Sequence, residues 1–142
     1  MGARIGAIYA LGEVGGEKVL PPLVYCARRH EVDLRSAAVA VLGKLALPAA
    51  LPILAELLED ENPTVRGRAI SALRNFKVTP GILNKLRSFL SESDGALEAE
   101  AALTLAELKD LYSLSQILAL LTSHHASTRQ AAATALSRMP IQ

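Results

Sequence analysis

Tryptophan is absent from this chain, and five aromatic side chains, Tyr9, Tyr25, Phe76, Phe89 and Tyr112, serve 142 residues. A core cannot rest on ring packing here. With 51% of residues apolar, it has to be built from Leu, Ile, Val and Ala. The same shortage leaves few platforms for base stacking. The single cysteine, Cys26, excludes an intrachain disulfide framework and fits a reducing, cytoplasmic setting. Charge is nearly balanced, with 15 Lys and Arg against 14 Asp and Glu, so no bulk field points to a polyanionic partner. There is no uncharged apolar run of about 18 residues, which argues against a membrane span. No basic segment precedes an apolar one at the N-terminus, which argues against a signal peptide. No stretch alternates with period two, so no strand is expected.

What the sequence does contain is a period. Arg4, Arg35, Arg66, then Glu98 in place of arginine, then Arg129 are spaced by 31, 31, 32 and 31 residues. An alanine follows each by three residues (Ala7, Ala38, Ala69, Ala101, Ala132). A leucine follows each by seven (Leu11, Leu42, Leu73, Leu105, Leu136). A fixed period of this length marks a stacked repeat. Around each arginine position, apolar residues such as Val65, Ala69, Ile70 and Leu73 fall on one stripe of a 3.6-residue helix, here termed a B helix. Between them lie second stripes, the A helices: Leu20, Leu23, Cys26, Ala27; Leu51, Leu54, Leu57, Leu58; Leu83, Leu86, Phe89, Leu90; and Leu114, Ile117, Leu120, Leu121.

Punctuation agrees with these boundaries. Gly15 and Gly16 suit a left-handed helix end, Pro21 and Pro52 suit first helical turns, and Asn62 and Ser127 suit N-caps. The loop Lys77–Gly81 absorbs the extra residue of the fourth interval. One B helix followed by four A–B hairpins predicts an all-α fold of about nine helices, a right-handed α-α superhelix, in one domain over residues 1–142. Neither end carries a polar capping helix. The chain is therefore either a segment of a longer array or one whose ends pair with another chain, including a second copy.

The motif Leu51-Pro52-Ile53-Leu54, Leu57-Leu58, Asp60, Val65-Arg66, Ala69-Ile70, Ala72-Leu73 resembles a HEAT repeat. Leu34-Arg35, Leu42-Gly43 and Ala10-Leu11-Gly12-Glu13-Val14-Gly15 are similar to the short bacterial HEAT-like repeats of phycobilisome lyases. The resemblance implies an α-solenoid and a range of roles: scaffolds, chromophore lyases, a di-iron hydroxylase and DNA-repair enzymes. It also implies pairing of an acidic residue at the A–B turn with the B-helix arginine. Asp60 and Arg66 match that pattern. Arg29, Glu92 and Ser123 hold the other turn positions, which interrupts any ladder.

Chemistry is sparse. His30, His124 and His125 belong to turns, and a metal site needs several such ligands converging. The His-Glu pairs that the hydroxylase relatives repeat occur once, at His30-Glu31. Cys26 holds a core position in its A helix and reads as a buried thiol rather than a nucleophile. Gly12 to Lys18 has no Gly-Lys-Ser/Thr and reads as a helix end, not a phosphate loop. No catalytic residue, metal or cofactor is expected, and the chain reads as a non-enzyme.

The implied HEAT architecture lines its concave face with B helices. Offsets +1, +2, +5, +8 and +9 from the arginine position are expected to point away from the core. Many of these positions are small, among them Ala37, Gly43, Ala106 and Ala131, and would let a partner approach. The expected partner-binding set is Tyr9, Lys44, Arg68, Ser71, Arg74, Asn75, Leu103 and Glu107. This face, roughly 800 Å² from helix length and spacing, matches one side of a standard protein interface. The leading expectation is a noncatalytic scaffold for a protein partner. A lyase-like or enzyme-associated module is the alternative. Nucleic-acid binding, suggested only by Arg66, Arg68, Arg74 and Lys77, is third.

Overall fold

The computed structural model describes residues 2–91 and 94–140, except the side chains of Gly2 and Ala3. Glu92, one of the turn positions compared with Asp60, lies outside the described residues. Two compact units emerge, residues 1–77 and 78–142. Unit 1 holds α1 (Gly2–Val14), α2 (Leu20–Ala27), α3 (Val32–Leu45), α4 (Leu51–Leu57) and α5 (Pro63–Ala72). Unit 2 holds α6 (Pro80–Ser88), α7 (Gly95–Glu107), α8 (Leu114–Ala119) and α9 (Ala126–Arg138). Among the described residues there are nine α-helices and no strand, as the periodicity predicts.

The B helices are α1, α3, α5, α7 and α9. Within unit 1, α1 packs on α3 and α3 on α5; within unit 2, α7 packs on α9. Each A helix lies against the B helix that follows it: α2 on α3, α4 on α5, α6 on α7, α8 on α9. The leucine stripes make the seam. Leu23, Leu42, Leu54, Leu73, Leu86, Leu105 and Ile117 are all at 0% exposure. Each such side chain contributes on the order of 1.5–3 kcal/mol by leaving water.

The A helices are shorter than their stripes because 3₁₀ turns finish them. Phe89–Ser91 extends α6 and Leu120–Thr122 extends α8, which carries the last apolar residues onto the B helix. Helix starts follow local chemistry. Asn62 Oδ1 accepts from Thr64 and Val65 N–H at 2.9 and 3.2 Å. Thr79 and Asp94, not read as caps in the sequence, do the same for α6 and α7. Ser127 is not a cap: α9 begins one residue earlier, and Ser123 Oγ accepts the His125 N–H at 3.1 Å. Gly15 and Gly16 have φ of 69° and 81°, the left-handed ending their sequence suggests.

The recurring arginine is a turn clamp. Arg35 Nη1 donates to the carbonyls of Arg29 and His30 at 3.1 and 2.6 Å. Arg66 Nη1 reaches those of Asp60 and Glu61 at 2.8 and 3.3 Å. Arg129 Nη1 reaches that of Ser123 at 2.7 Å. The acceptors lie five or six residues upstream each time, at the end of the preceding A segment, where carbonyls have no helical partner. The implied Asp60–Arg66 pairing is therefore corrected: Arg66 takes the Asp60 carbonyl, while the Asp60 carboxylate turns to Arg35 in the previous repeat. Arg35 Nε and Nη2 donate to it at 2.8 and 3.1 Å, and the two side chains are only 8% and 7% exposed.

Candidate interaction surface

Six of the eight expected binding residues belong to unit 1. Tyr9 on α1 is 47% exposed. Lys44 near the end of α3 and Arg68 on α5 are exposed, and Ser71 is half-buried. Arg74 and Asn75 sit in the 3₁₀ turn Leu73–Asn75 that finishes α5, half-buried and exposed respectively. Because α1, α3 and α5 pack in succession, these six side chains belong to one run of stacked helices. In unit 2, Leu103 is half-buried on α7 and Glu107 is exposed at its end.

Four of the small positions expected to face a partner do not. Ala37, Ala106 and Ala131 are at 4%, 0% and 7% exposure, and Gly43 is buried. The reason is how closely neighbouring B helices approach. A Cβ on Gly43 would sit 2.7 Å from the Ala72 Cβ, and one on Gly12 would sit 3.0 Å from Val41 Cγ1. In unit 2, a Cβ on Gly95 would sit 2.7 and 2.9 Å from Cγ and Cδ2 of the His125 ring. Small residues here set helix spacing. His125, read from sequence as a solvated turn residue, is exposed in the turn before α9, with its ring against Gly95 at the start of α7.

At offset +9 the side chains form a row linking consecutive B helices. Lys44 Nζ lies 3.6 Å from Glu13, and Arg138 donates to Glu107 at 3.2 Å. Asn75 Nδ2 donates to the Gly43 carbonyl at 3.0 Å. The two ion pairs are well exposed and hold little energy, about 0–1 kcal/mol each. The row was legible in advance, since residues 31 apart carry opposite charge in both pairs.

Unit 2 also contains an ion pair not picked out from the sequence. Arg87 Nε and Nη2 donate to Asp110 at 2.8 and 2.6 Å, and Asp110 is 5% exposed. Those hydrogen bonds hold the Arg87 guanidinium above its ordinary pKa. The ring of Tyr112, itself 85% exposed, lies 5.3 Å below the guanidinium.

Among the described residues no three His, Cys, Asp or Glu side chains converge as metal ligands, and no helix is long and apolar enough to cross a membrane. Cys26 is half-buried rather than fully buried, a correction to its reading as a core residue.

Where the repeat swaps arginine for Glu98, the local chemistry inverts. Burial raises the Glu98 carboxyl above its ordinary value of 4.5, and the nearby Asp94 charge adds to this; attraction to His125 and a hydrogen bond with Thr128 offset only part. The folded state thus prefers the protonated acid. The stability this group lends is complete below pH 4.5 and is lost as pH rises through the raised value. Glu98→Gln should accordingly raise the thermal midpoint at pH 7, and the gain should vanish as pH falls below 4.5. Thermal melts of both proteins across pH 4–8 check this.

A chain of antiparallel helix pairs with arginine-clamped turns and leucine seams is a helical-repeat protein. The HEAT repeats model matches residues 2–77, and the chain belongs to that family. Solved structures agree on the fold. The complex of CpcE and CpcF of phycocyanin lyase from Nostoc sp. PCC7120 is 21% identical, with a TM-score of 0.79, covering 92% of this chain and 86% of that one. YibA of Escherichia coli is 18% identical with a TM-score of 0.69, covering 95% of this chain and 52% of that one. An engineered protein is 21% identical with a TM-score of 0.67, covering 94% and 72%. No curated protein matches the chain.

Proposed function

We propose that this chain is a noncatalytic protein-interaction module whose B helices receive a protein partner. The carrying observation is the contrast between offsets on those helices. Small residues at the stacking positions are consumed by the fold, whereas Tyr9, Lys44 and Arg68 remain exposed on successive helices of unit 1. An exposed tyrosine and an exposed arginine are residue types that interfaces favour over the rest of a surface. Leu103 and Glu107 are assigned to the same role in unit 2.

The test is affinity for a partner isolated with the wild-type chain. Arg68→Glu should weaken it by about tenfold or more, roughly 1.4 kcal/mol. Glu56→Arg, exposed on an A helix, should leave it unchanged. Equal affinity for wild type and Arg68→Glu, with circular dichroism preserved, defeats the B-helix assignment.

A second reading is a lyase-type module, supported by the CpcE–CpcF likeness, which spans most of both chains. Titration with an open-chain tetrapyrrole separates the two: a shift in the pigment absorbance favours the lyase reading, and an unchanged spectrum leaves the scaffold.

A further inference from the structure

The repeat is broken inside unit 2, where a 3₁₀ turn opens an A helix. In unit 1 the two such turns are Glu17–Val19 and Pro48–Ala50, and they begin Glu17-Lys18 and Pro48-Ala49. The equivalent turn Leu111–Ser113 instead begins with Leu111, 50% exposed, and Tyr112, 85% exposed. At the Arg87 position the other A helices carry Val24, Ala55 and Leu118, and at the Asp110 position the two turns of unit 1 carry Gly16 and Leu47. The Arg87–Asp110 pair and the apolar side chains beside it are therefore not requirements of stacking. They sit between α6 and the turn that opens α8, internal to the chain.

Together these residues build a fixed wall. Asp110 accepts from Nε and Nη2 of Arg87, and Asn84 Oδ1 accepts from Nη1 at 2.8 Å, so three hydrogen bonds hold the guanidinium. The guanidinium in turn holds the Tyr112 ring, 5.3 Å away. A tyrosine that is held in place yet stays exposed offers contact area at low entropic cost. It borders a groove of about 530 Å³, walled also by Leu83 and Leu111, within the size range of ligand pockets. Asp110 neutralises Arg87. Lys109, exposed on the rim, makes no ion pair with a described residue. The groove is thus apolar with one uncompensated cation.

We infer that this groove docks a short acidic segment of a partner protein, with one large apolar side chain against Tyr112 and Leu83 and one carboxylate on Lys109. Charge selects the occupant. An acidic segment compensates Lys109, whereas a basic one would add a second cation. A second copy meeting the groove across a two-fold axis would bring two Lys109 side chains together. Tyrosine and arginine are also the residue types that dominate binding energy at interfaces. None of the lining residues belongs to the B-helix set proposed above, so this surface is additional to that reading.

The probe is a fluorescein-labelled hexapeptide of alternating aspartate and leucine, titrated against the full chain and read by fluorescence anisotropy. Tyr112→Ala and Lys109→Glu should each weaken binding by about tenfold with unchanged circular dichroism, while Tyr112→Phe keeps the ring and should bind as wild type does. A lysine–leucine hexapeptide lacks the charge and an aspartate–serine one lacks the apolar side chain, so neither should bind. The inference is overturned by no binding at millimolar peptide, by equal affinity for Tyr112→Ala, or by equal binding of the aspartate–serine peptide, which would reduce the site to charge alone. Affinity lost in Arg68→Glu but kept in Tyr112→Ala would move the peptide to the B-helix face, overturning this groove and not the reading above. A wild-type chain that sediments as a dimer, with Tyr112→Ala a monomer, would name a second copy as occupant and overturn it too.

Discussion

Asp60→Ala should destabilise unit 1 by about 3 kcal/mol, the lower end of the cost of breaking a buried ion pair. The carboxylate accepts two hydrogen bonds from Arg35 and one from the Asn62 N–H at 2.9 Å, so its removal strips a buried guanidinium of its counter-charge and frees a turn. The cost stays near the lower end because Arg35 keeps two carbonyl acceptors. Arg35→Met should cost a comparable amount, and the double variant Arg35→Met with Asp60→Leu should recover most of the loss, since two apolar side chains replace two desolvated charges. Urea denaturation of the four proteins closes the cycle. Additive losses would mean that the pair is not coupled and that each residue acts only through its backbone contacts.

That pair also shows where sequence reading stopped. Arginine spacing gave the B-helix register, and leucine spacing gave the seam, because burial imposes one face on each helix. The spacing could not say which acceptor each arginine meets. A guanidinium has five donors, and a turn offers both carbonyls and carboxylates. Asp60 and Arg66 are close in sequence and looked paired, yet the carboxylate goes to Arg35, 25 residues away. The small residues were misread for a related reason. Gly43 and Ala106 fall outside the leucine stripe, so a single helix presents them to solvent. Only the neighbouring B helix makes them interior, and a one-helix projection contains no neighbour. The clamp was equally hidden, although Arg35, Arg66 and Arg129 stand in the sequence as one series, because spacing does not record which carbonyls a side chain meets.

The surface proposed for binding and the spacing of the B helices are coupled through Gly43, and this gives the second large effect. Gly43→Ala would gain about 1 kcal/mol from helix propensity alone. Against that, the new Cβ would lie 2.7 Å from the Ala72 Cβ and 3.0 Å from its Cα, and a backbone cannot swing away as a side-chain tip can. Overpacking of this kind costs about 1–3 kcal/mol, so the variant should lose stability despite its better propensity, and Gly43→Val should lose more. Gly12→Ala is the control. Its closest approach, 3.0 Å, is to the Val41 side chain, with no backbone atom among its nearest neighbours, so it should be nearly neutral. Adding Ala72→Gly to Gly43→Ala removes the 2.7 Å contact and should restore part of the loss. Thermal melts rank the set, and a Gly43→Ala protein more stable than wild type would show that α3 and α5 separate freely. If they do not, widening them also lengthens the Asn75 bond to the Gly43 carbonyl, which joins the ends of the two helices. Gly43→Ala should then weaken a B-helix partner without touching any residue in contact with it, which ties the stacking of small residues to the geometry of the exposed ones.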